Sequence, residues 1–326
     1  MSPAGEDIVR PLAHIVIAPD PSADTLRRAI GDADILLVRN QLPADIFERP
    51  NRLVGVVRNG TGLDFIPVDS ATAQGIPVAN VPGANAQAVA EYCIGALLAL
   101  ARRFGSMDRD LRDRDWTTAR AHSADTIELA GKTIGIVGLG NVGAALGRIC
   151  HHGFGMRVLA VQPAGHPVPD FAQRVDLDHL LAASDFVSLN CPLTAETRHL
   201  IDEPRLRRMK PGAMLVNAAR GEIVDEAALA RALGERWIGG AAIDVYREQP
   251  LRRDHPLLGV DNALLTPHAA SLTRESYDKM SVGAARQIVQ LIEGVHPDHL
   301  VNPEAWPRRR SWRAETGQNS DHGVSP

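Results

Sequence analysis

No stretch of this 326-residue chain reaches the ~18 consecutive apolar residues that a membrane span requires. The best candidate, residues 94–101, is far too short. The opening MSPAGEDIVRPL has neither a basic start nor an apolar core, so no secretory leader is expected. Cysteine is scarce: Cys93, Cys150 and Cys191 make up the whole complement, with no C-x-x-C spacing. They read as reduced, structural thiols of a cytoplasmic protein, and a metal site is not expected. An excess of charge is missing too. A net charge of -4 offers no basic footprint for nucleic acid. Arg308, Arg309 and Arg310 read as a solvated cluster on a tail rather than a nucleic-acid site.

What is present is alternation. Short apolar runs at 14–19, 35–38, 53–57 and 78–81 are separated by helical segments, the first at about 22–30. A long helix over 85–103 is apolar nearly all round and is expected to be buried. The polar stretch 106–129 follows, with Trp116 as its one Phe, Tyr or Trp residue. It reads either as a solvated connection or as an arm that anchors a subunit contact. From Gly131 a second series begins, with strands near 134–137, 156–161, 186–190, 213–217, 240–245 and 263–266. A helix at 225–233 is capped by Asp225, and another spans 273–294. Strand–helix alternation of this kind predicts an α/β protein with parallel sheets covered on both faces. The length suits about two such domains.

The second series opens with KTIGIVGLGNVG. Gly138, Gly140 and Gly143 have the G-x-G-x-x-G spacing after an apolar strand, and Asn141 and Val142 start the next helix. In a dinucleotide-binding βαβ unit the first glycine makes the turn, the second admits the pyrophosphate, and the third lets helix and strand pack closely. The following strand ends at Gln162, where an acid ordinarily meets the ribose 2′-hydroxyl. Glutamine removes the repulsion of a 2′-phosphate, yet QPAGH supplies no arginine to hold one; His166 is the nearest candidate. The cofactor is therefore NAD or NADP, with the choice open. Three polar residues stand where later strands end: Arg220, Gln249 and His268. A guanidinium grips a carboxylate, and a histidine moves a proton near neutral pH. Together they point to oxidoreduction of a carboxylated carbonyl compound. The loop RNGTGLD, with Gly60 and Gly62, reads equally as a presenter of backbone amides or as a flexible turn.

With these motifs in hand, the chain resembles the D-isomer-specific 2-hydroxyacid dehydrogenase family. The matching text is NGTGLDFIPV, GIPVANVPGANAQAVAE, GKTIGIVGLGNVG, LNCPLTAETRHLI, MKPGAMLVNAARGEIVDE, GAAIDVY and LLTPHAA. The resemblance implies two doubly wound domains with a cleft between them, one flavodoxin-like for substrate and one Rossmann-type for cofactor. Residues 1–103 with 291–306 would form the first and 104–290 the second, with 307–326 a tail without structure. It also implies that Arg220 binds the substrate carboxylate with the backbone of Gly60, Thr61 and Gly62, and that His268 is the acid/base. Asp244 would meet the nicotinamide carboxamide, Pro192 and Thr197 would line the cofactor, and the Trp116 arm would lie at a homodimer contact.

Two positions depart from the family. Most members carry glutamate where this chain has Gln249, and an amide cannot stabilise the imidazolium as a carboxylate does. Formate dehydrogenases also have glutamine there. The reading that follows is a reductase of small 2-keto acids, with a formate-type dehydrogenase or a cofactor-binding regulator of the corepressor type as alternatives. Gln162 is the second departure, and Ser271 stands where relatives usually have glycine. Loops near Arg39, Asn40 and Leu42 are expected at the far end of the substrate.

Overall fold

The computed structural model describes residues 1–312. They divide into two compact units: Met1–Ala84 with the residues from Tyr277 on, and Asn85–Ser276. Each is built on its own parallel sheet.

The first unit contains helix α1 (Pro3–Val9), helix α2 (Ala23–Ala29), β1 (Ile35–Val38), β2 (Gly55–Arg58), helix α3 (Val68–Ala73) and β3 (Val78–Ala79). Ser22 starts α2 by accepting from the Thr25 amide. The strands pair in the order β1-β2-β3. Successive residues of β2 face opposite ways, so both faces must be covered. Val56 enters a core with Ile30, Phe47 and Leu53. Val57 enters another with Val9, Ala284 and Ile288.

In the second unit, helices α4 (Ala86–Ala101), α5 (Phe104–Asp113) and α6 (Trp116–Ala121) precede β4 (Thr133–Val137). There follow α7 (Asn141–Phe154), β5 (Arg157–Val161), β6 (Ala172–Arg174), α8 (Leu177–Ala183), β7 (Phe186–Leu189) and α9 (Glu203–Arg208). The series closes with β8 (Met214–Asn217), α10 (Glu226–Gly234), β9 (Gly240–Ile243) and β10 (Ala263–Leu265). The sheet order is β10-β9-β8-β7-β4-β5-β6, and every pair is parallel. The chain enters at β4, winds outward through β5 and β6, then returns to the other side at β7. The carboxyl ends of β4 and β7 therefore flank a topological switch point, where open α/β sheets bind ligands. Val137, Leu159 and Leu215 face one core with Leu180 and Leu229 of the helices; Ile134, Ile136 and Val216 face the other with Leu97 and Leu146. Asp225 caps α10, accepting from the amides of Ala227 and Ala228. The last helix, α11 (Arg274–Ile292), returns the chain to the first unit.

Four expectations are corrected. Residues 14–19 form no strand: Val16 and Ile17 are 78% and 79% exposed, and of this stretch only Ile15 packs against the core. A seventh strand, β6, is added beside β5, because pairing rather than apolar content makes it a strand. The unit boundaries move as well. α4 buries Val89, Cys93 and Leu97 beside Ile134 and Phe186, so it belongs to the second unit. α11 buries Ala284, Ile288 and Leu291 beside Val57 and Ala79, so most of it belongs to the first. Finally, the arginines expected on a tail are fastened. Arg308 donates to the Thr72 carbonyl at 2.8 Å, Arg309 to that of Trp306 at 2.9 Å, and Arg310 to Asn51. The rest of the expected tail, 313–326, lies outside the described residues. Among the described residues no helix is long and apolar enough to cross a membrane.

Candidate active site

Three glycines shape the turn at the end of β4, each for a different reason. Gly138 takes φ +94°, and a Cβ there would meet the Asn190 carbonyl and the Cys191 amide at 2.9 Å. A Cβ on Gly143 would stand 2.0 Å from the Gly138 carbonyl oxygen. At Gly140, by contrast, a Cβ would meet nothing within 4 Å, so the approach to the helix start is open. No side chain caps α7 and its first turn carries no acid, which leaves amides of Asn141, Val142 and Gly143 for an anion. This donor set fits the pyrophosphate of a dinucleotide. Gln162, at the end of β5, reaches back to the same turn, its Oε1 accepting from the Leu139 amide at 2.8 Å. Beyond β7, the Thr197 hydroxyl donates to the Pro192 carbonyl at 2.7 Å and so ties off the loop expected to line the cofactor. Cys191 beside it is no nucleophile: burial pushes its thiol up to about 11.

The acid/base candidate sits in a loop held from beneath by a buried carboxylate. His268 follows β10 with φ +53°, a left-handed conformation that costs a non-glycine residue of order 1–3 kcal/mol. Asp244, at the end of β9 and 0% exposed, holds that conformation. Its Oδ1 accepts from the Ala269 amide at 2.8 Å and the Thr266 hydroxyl at 2.6 Å; its Oδ2 accepts from the Ala270 amide at 2.9 Å. The Asp244 carbonyl takes the His268 amide at 2.7 Å. Because Thr266 gives its proton to the carboxylate, the Tyr92 phenol 2.7 Å away must be the donor to Thr266. Burial pushes that phenol up to about 12, so it keeps its proton. The resemblance implies that Asp244 meets the nicotinamide carboxamide; the three side-chain bonds it makes within the chain are to the His268 loop.

The imidazole is oriented by Gln249. Gln249 Nε2 donates to the Tyr246 carbonyl at 3.0 Å, and a carbonyl can only accept. Oε1 therefore faces the ring, 2.9 Å from His268 Nδ1. An amide oxygen cannot donate either, so Nδ1 carries the proton and Nε2 is the atom that exchanges one. Arg220 follows β8, half-buried, its backbone carbonyl held by Asn217 Nδ2 at 2.9 Å and its Nη1 donating to the Ala219 carbonyl at 2.7 Å. Gly221 lets this turn press on the strand end that carries Gln249, since a Cβ there would lie 2.1 Å from the Tyr246 carbonyl carbon.

Gly60, Thr61 and Gly62 lie in the other unit, after β2. Arg58 organises them: Nε donates to the Gly62 carbonyl at 3.0 Å, Nη1 to those of Val38 and Arg39 at 2.9 and 3.0 Å. The Thr61 carbonyl accepts from Asn80 at 2.8 Å. Of the residues expected at the far end of the substrate, Leu42 is buried in the core and Arg39 lies over the Tyr277 ring. Sequence reasoning missed Arg58, Thr266 and Tyr92. Thr266, two residues before His268, could have been flagged; Tyr92 is 174 positions from its partner and carries no local signal.

Comparison with known proteins identifies the family. The profile of the D-isomer specific 2-hydroxyacid dehydrogenase, NAD binding domain, matches residues 94–270. A glyoxylate reductase of Korarchaeum cryptofilum is 40% identical over 293 residues, 87% of each chain. An acyclic imino acid reductase solved with NADPH and D-Arg superposes with a TM-score of 0.83 at 27% identity, over 92% of this chain and 96% of that one. The NAD complex of a Staphylococcus aureus formate dehydrogenase gives 0.79 at 28% identity, over 87% and 86%. An open helix start at the switch point, a histidine held on a strand end and these relatives agree: the chain is a nicotinamide-dependent enzyme of the D-isomer specific 2-hydroxyacid dehydrogenase family.

Proposed function

We propose that this enzyme reduces small 2-keto acids, glyoxylate and hydroxypyruvate foremost, to D-2-hydroxy acids, with Arg220, His268 and Gln249 as its catalytic residues. Arg220 binds the carboxylate by two parallel hydrogen bonds. When bound, the nicotinamide supplies the hydride. The chain supplies the proton: His268, as imidazolium, gives the one on Nε2 to the carbonyl oxygen and keeps the one on Nδ1, which Gln249 accepts. In oxidation the neutral ring takes the proton back at the same atom. Asp244 acts on His268 by positioning. The observation that carries this reading is the Tyr246 carbonyl–Gln249–His268 chain, which leaves Nε2 as the exchanging atom. The named activity of the similar Korarchaeum cryptofilum protein supports glyoxylate as substrate.

Oxidation of NADPH and NADH across a panel of 2-keto acids tests this. Turnover is expected with glyoxylate, and His268→Ala should lower kcat/KM about 10²–10⁴-fold with cofactor binding intact. No turnover with any keto acid, alongside tight cofactor binding, would sink the reading. One observation favours a second: an amide beside the histidine suits hydride transfer that moves no proton, as from formate, so formate belongs in the panel. We also propose a homodimer through the α5–α6 arm, where Trp116 is 68% exposed with Phe104 and Leu111 exposed on the same arm. A monomeric mass by light scattering would remove it.

A further inference from the structure

Arg174 lies on the strand that apolar patterning does not reveal. It ends β6 in register with Ala160 of β5, two residues before Gln162. Between these strands the chain turns back on itself: the His166 amide donates to the Pro163 carbonyl at 3.3 Å, with Gly165 at φ +83°. The Arg174 guanidinium staples this turn, donating to the carbonyls of Gln162, Pro163 (at 2.9 Å) and His166. A guanidinium has five N–H groups. Three bonds to carbonyls leave two donors without a partner among the described residues, on an exposed cation held still at the end of β5. The turn is where a doubly wound sheet receives the adenosine ribose.

The Gln162 side chain, on a residue whose carbonyl the staple holds, adds a second donor. Its Oε1 is engaged by the Leu139 amide, so the group it has left for a ligand is the Nε2 amine. A carboxylate here would have an oxygen left to accept the 2′-hydroxyl proton and would repel a phosphate. A donor does the opposite, suiting an oxygen that bears charge and has no proton to give.

We propose that Gln162 and Arg174 form a subsite for the 2′-phosphate, and that the enzyme prefers NADP(H) to NAD(H). This rests on the nicotinamide-dependent reading above and adds which of the two cofactors is taken. The phosphate meets the two remaining Arg174 donors and Gln162 Nε2 in charge-assisted bonds, while the staple keeps the guanidinium from having to be ordered on binding.

Calorimetric titration of the full chain with NADPH, NADH, 2′,5′-ADP and 5′-AMP reads this without turnover. NADPH should bind at least about tenfold tighter than NADH, and 2′,5′-ADP should exceed 5′-AMP by a similar ratio, both ratios shrinking as salt rises. Arg174→Ala should weaken NADPH about tenfold to a hundredfold and leave NADH where it was. Gln162→Asp should invert the preference. NADH binding as tightly as NADPH overturns the proposal, and so does an Arg174→Ala loss shared equally by both cofactors, which would mark a staple and nothing more. Should Arg174→Ala fail to fold, Gln162→Asp decides alone, because the staple uses the backbone carbonyl at 162; an unchanged NADPH preference overturns the proposal. Binding of neither cofactor removes it together with the reading on which it rests.

Discussion

The two sheets follow one rule and reach different states of completion. The second unit threads seven parallel strands from one uninterrupted stretch, Asn85–Ser276, and covers both faces with helices of that stretch. The first has three strands, and the helix covering one face arrives from the far end of the sequence. Its apolar stretch at 14–19 has the composition of a strand and no ladder partner. The difference teaches that apolar content nominates a strand and pairing elects it. In the second unit even Ala172–Arg174, with little apolar content, becomes a strand because β5 offers a paired edge.

The comparison breaks first at glycine. Gly143→Ala in the second unit drives a Cβ onto backbone that cannot yield, whereas a Cβ at Gly31 in the first unit meets nothing within 4 Å. We expect Gly143→Ala to cost about 1–3 kcal/mol or more and to abolish measurable cofactor binding. Gly31→Ala should stay within about 0.5 kcal/mol. Paired thermal melts and cofactor titrations check both. Equal effects would mean that the two units are not packed to different tolerances.

Next comes Thr266→Val, which removes the link between Tyr92 and Asp244 on the second unit. Loss of one bond to a buried carboxylate should cost about 1.5–3 kcal/mol, felt as a fall in kcat of roughly tenfold or more, with cofactor affinity unchanged. A lower melting temperature with kcat intact would make the network structural only.

Gln249→Glu tests the acid/base site by pH. A carboxylate in place of the amide that faces Nδ1 favours the imidazolium. Reduction needs the protonated ring, so its kcat/KM should persist to higher pH in the variant; oxidation needs the neutral ring, so its onset should move up as well. Identical profiles for both proteins would refute the assignment of His268 as proton donor.

The smallest effect belongs to the first unit. Val16→Ser and Ile17→Ser change exposed side chains and should each alter stability by less than about 0.5 kcal/mol. A cost above about 1 kcal/mol, read from denaturant melts, would show that this stretch is covered after all.

Much of the site was legible because it follows rules of local chain. The turn of Gly138, Gly140 and Gly143 and the cap at Asp225 need only short spacings to be seen, and Gln249 and His268 only a strand end; their pairing was implied by the family resemblance. Asp244 was found, but not its bonds to the His268 loop, since a sequence does not show which amides a buried carboxylate will meet. Tyr92 and Arg174 were invisible for a plainer reason. Their partners are set by how strands pair and helices pack, and neither carries a motif. The boundaries near 103 and 291 were misplaced because a helix apolar nearly all round, such as α4, does not say which core it will enter.

The last described segment has a consequence for how the protein is made. Asn302 accepts the Val78 amide at 2.7 Å, Leu300 bridges to Ala79, and Arg308 holds the Thr72 carbonyl, so the first sheet is finished by residues synthesised after the whole second unit. The second unit, continuous from Asn85 to Ser276, has all its strands synthesised before those residues appear. Birth order and folding order should thus diverge: residues 1–84 wait for the residues from 277 on, and the inserted unit matures in between. Nascent chains arrested after residue 276 should already protect the second unit from protease and leave the first open to it.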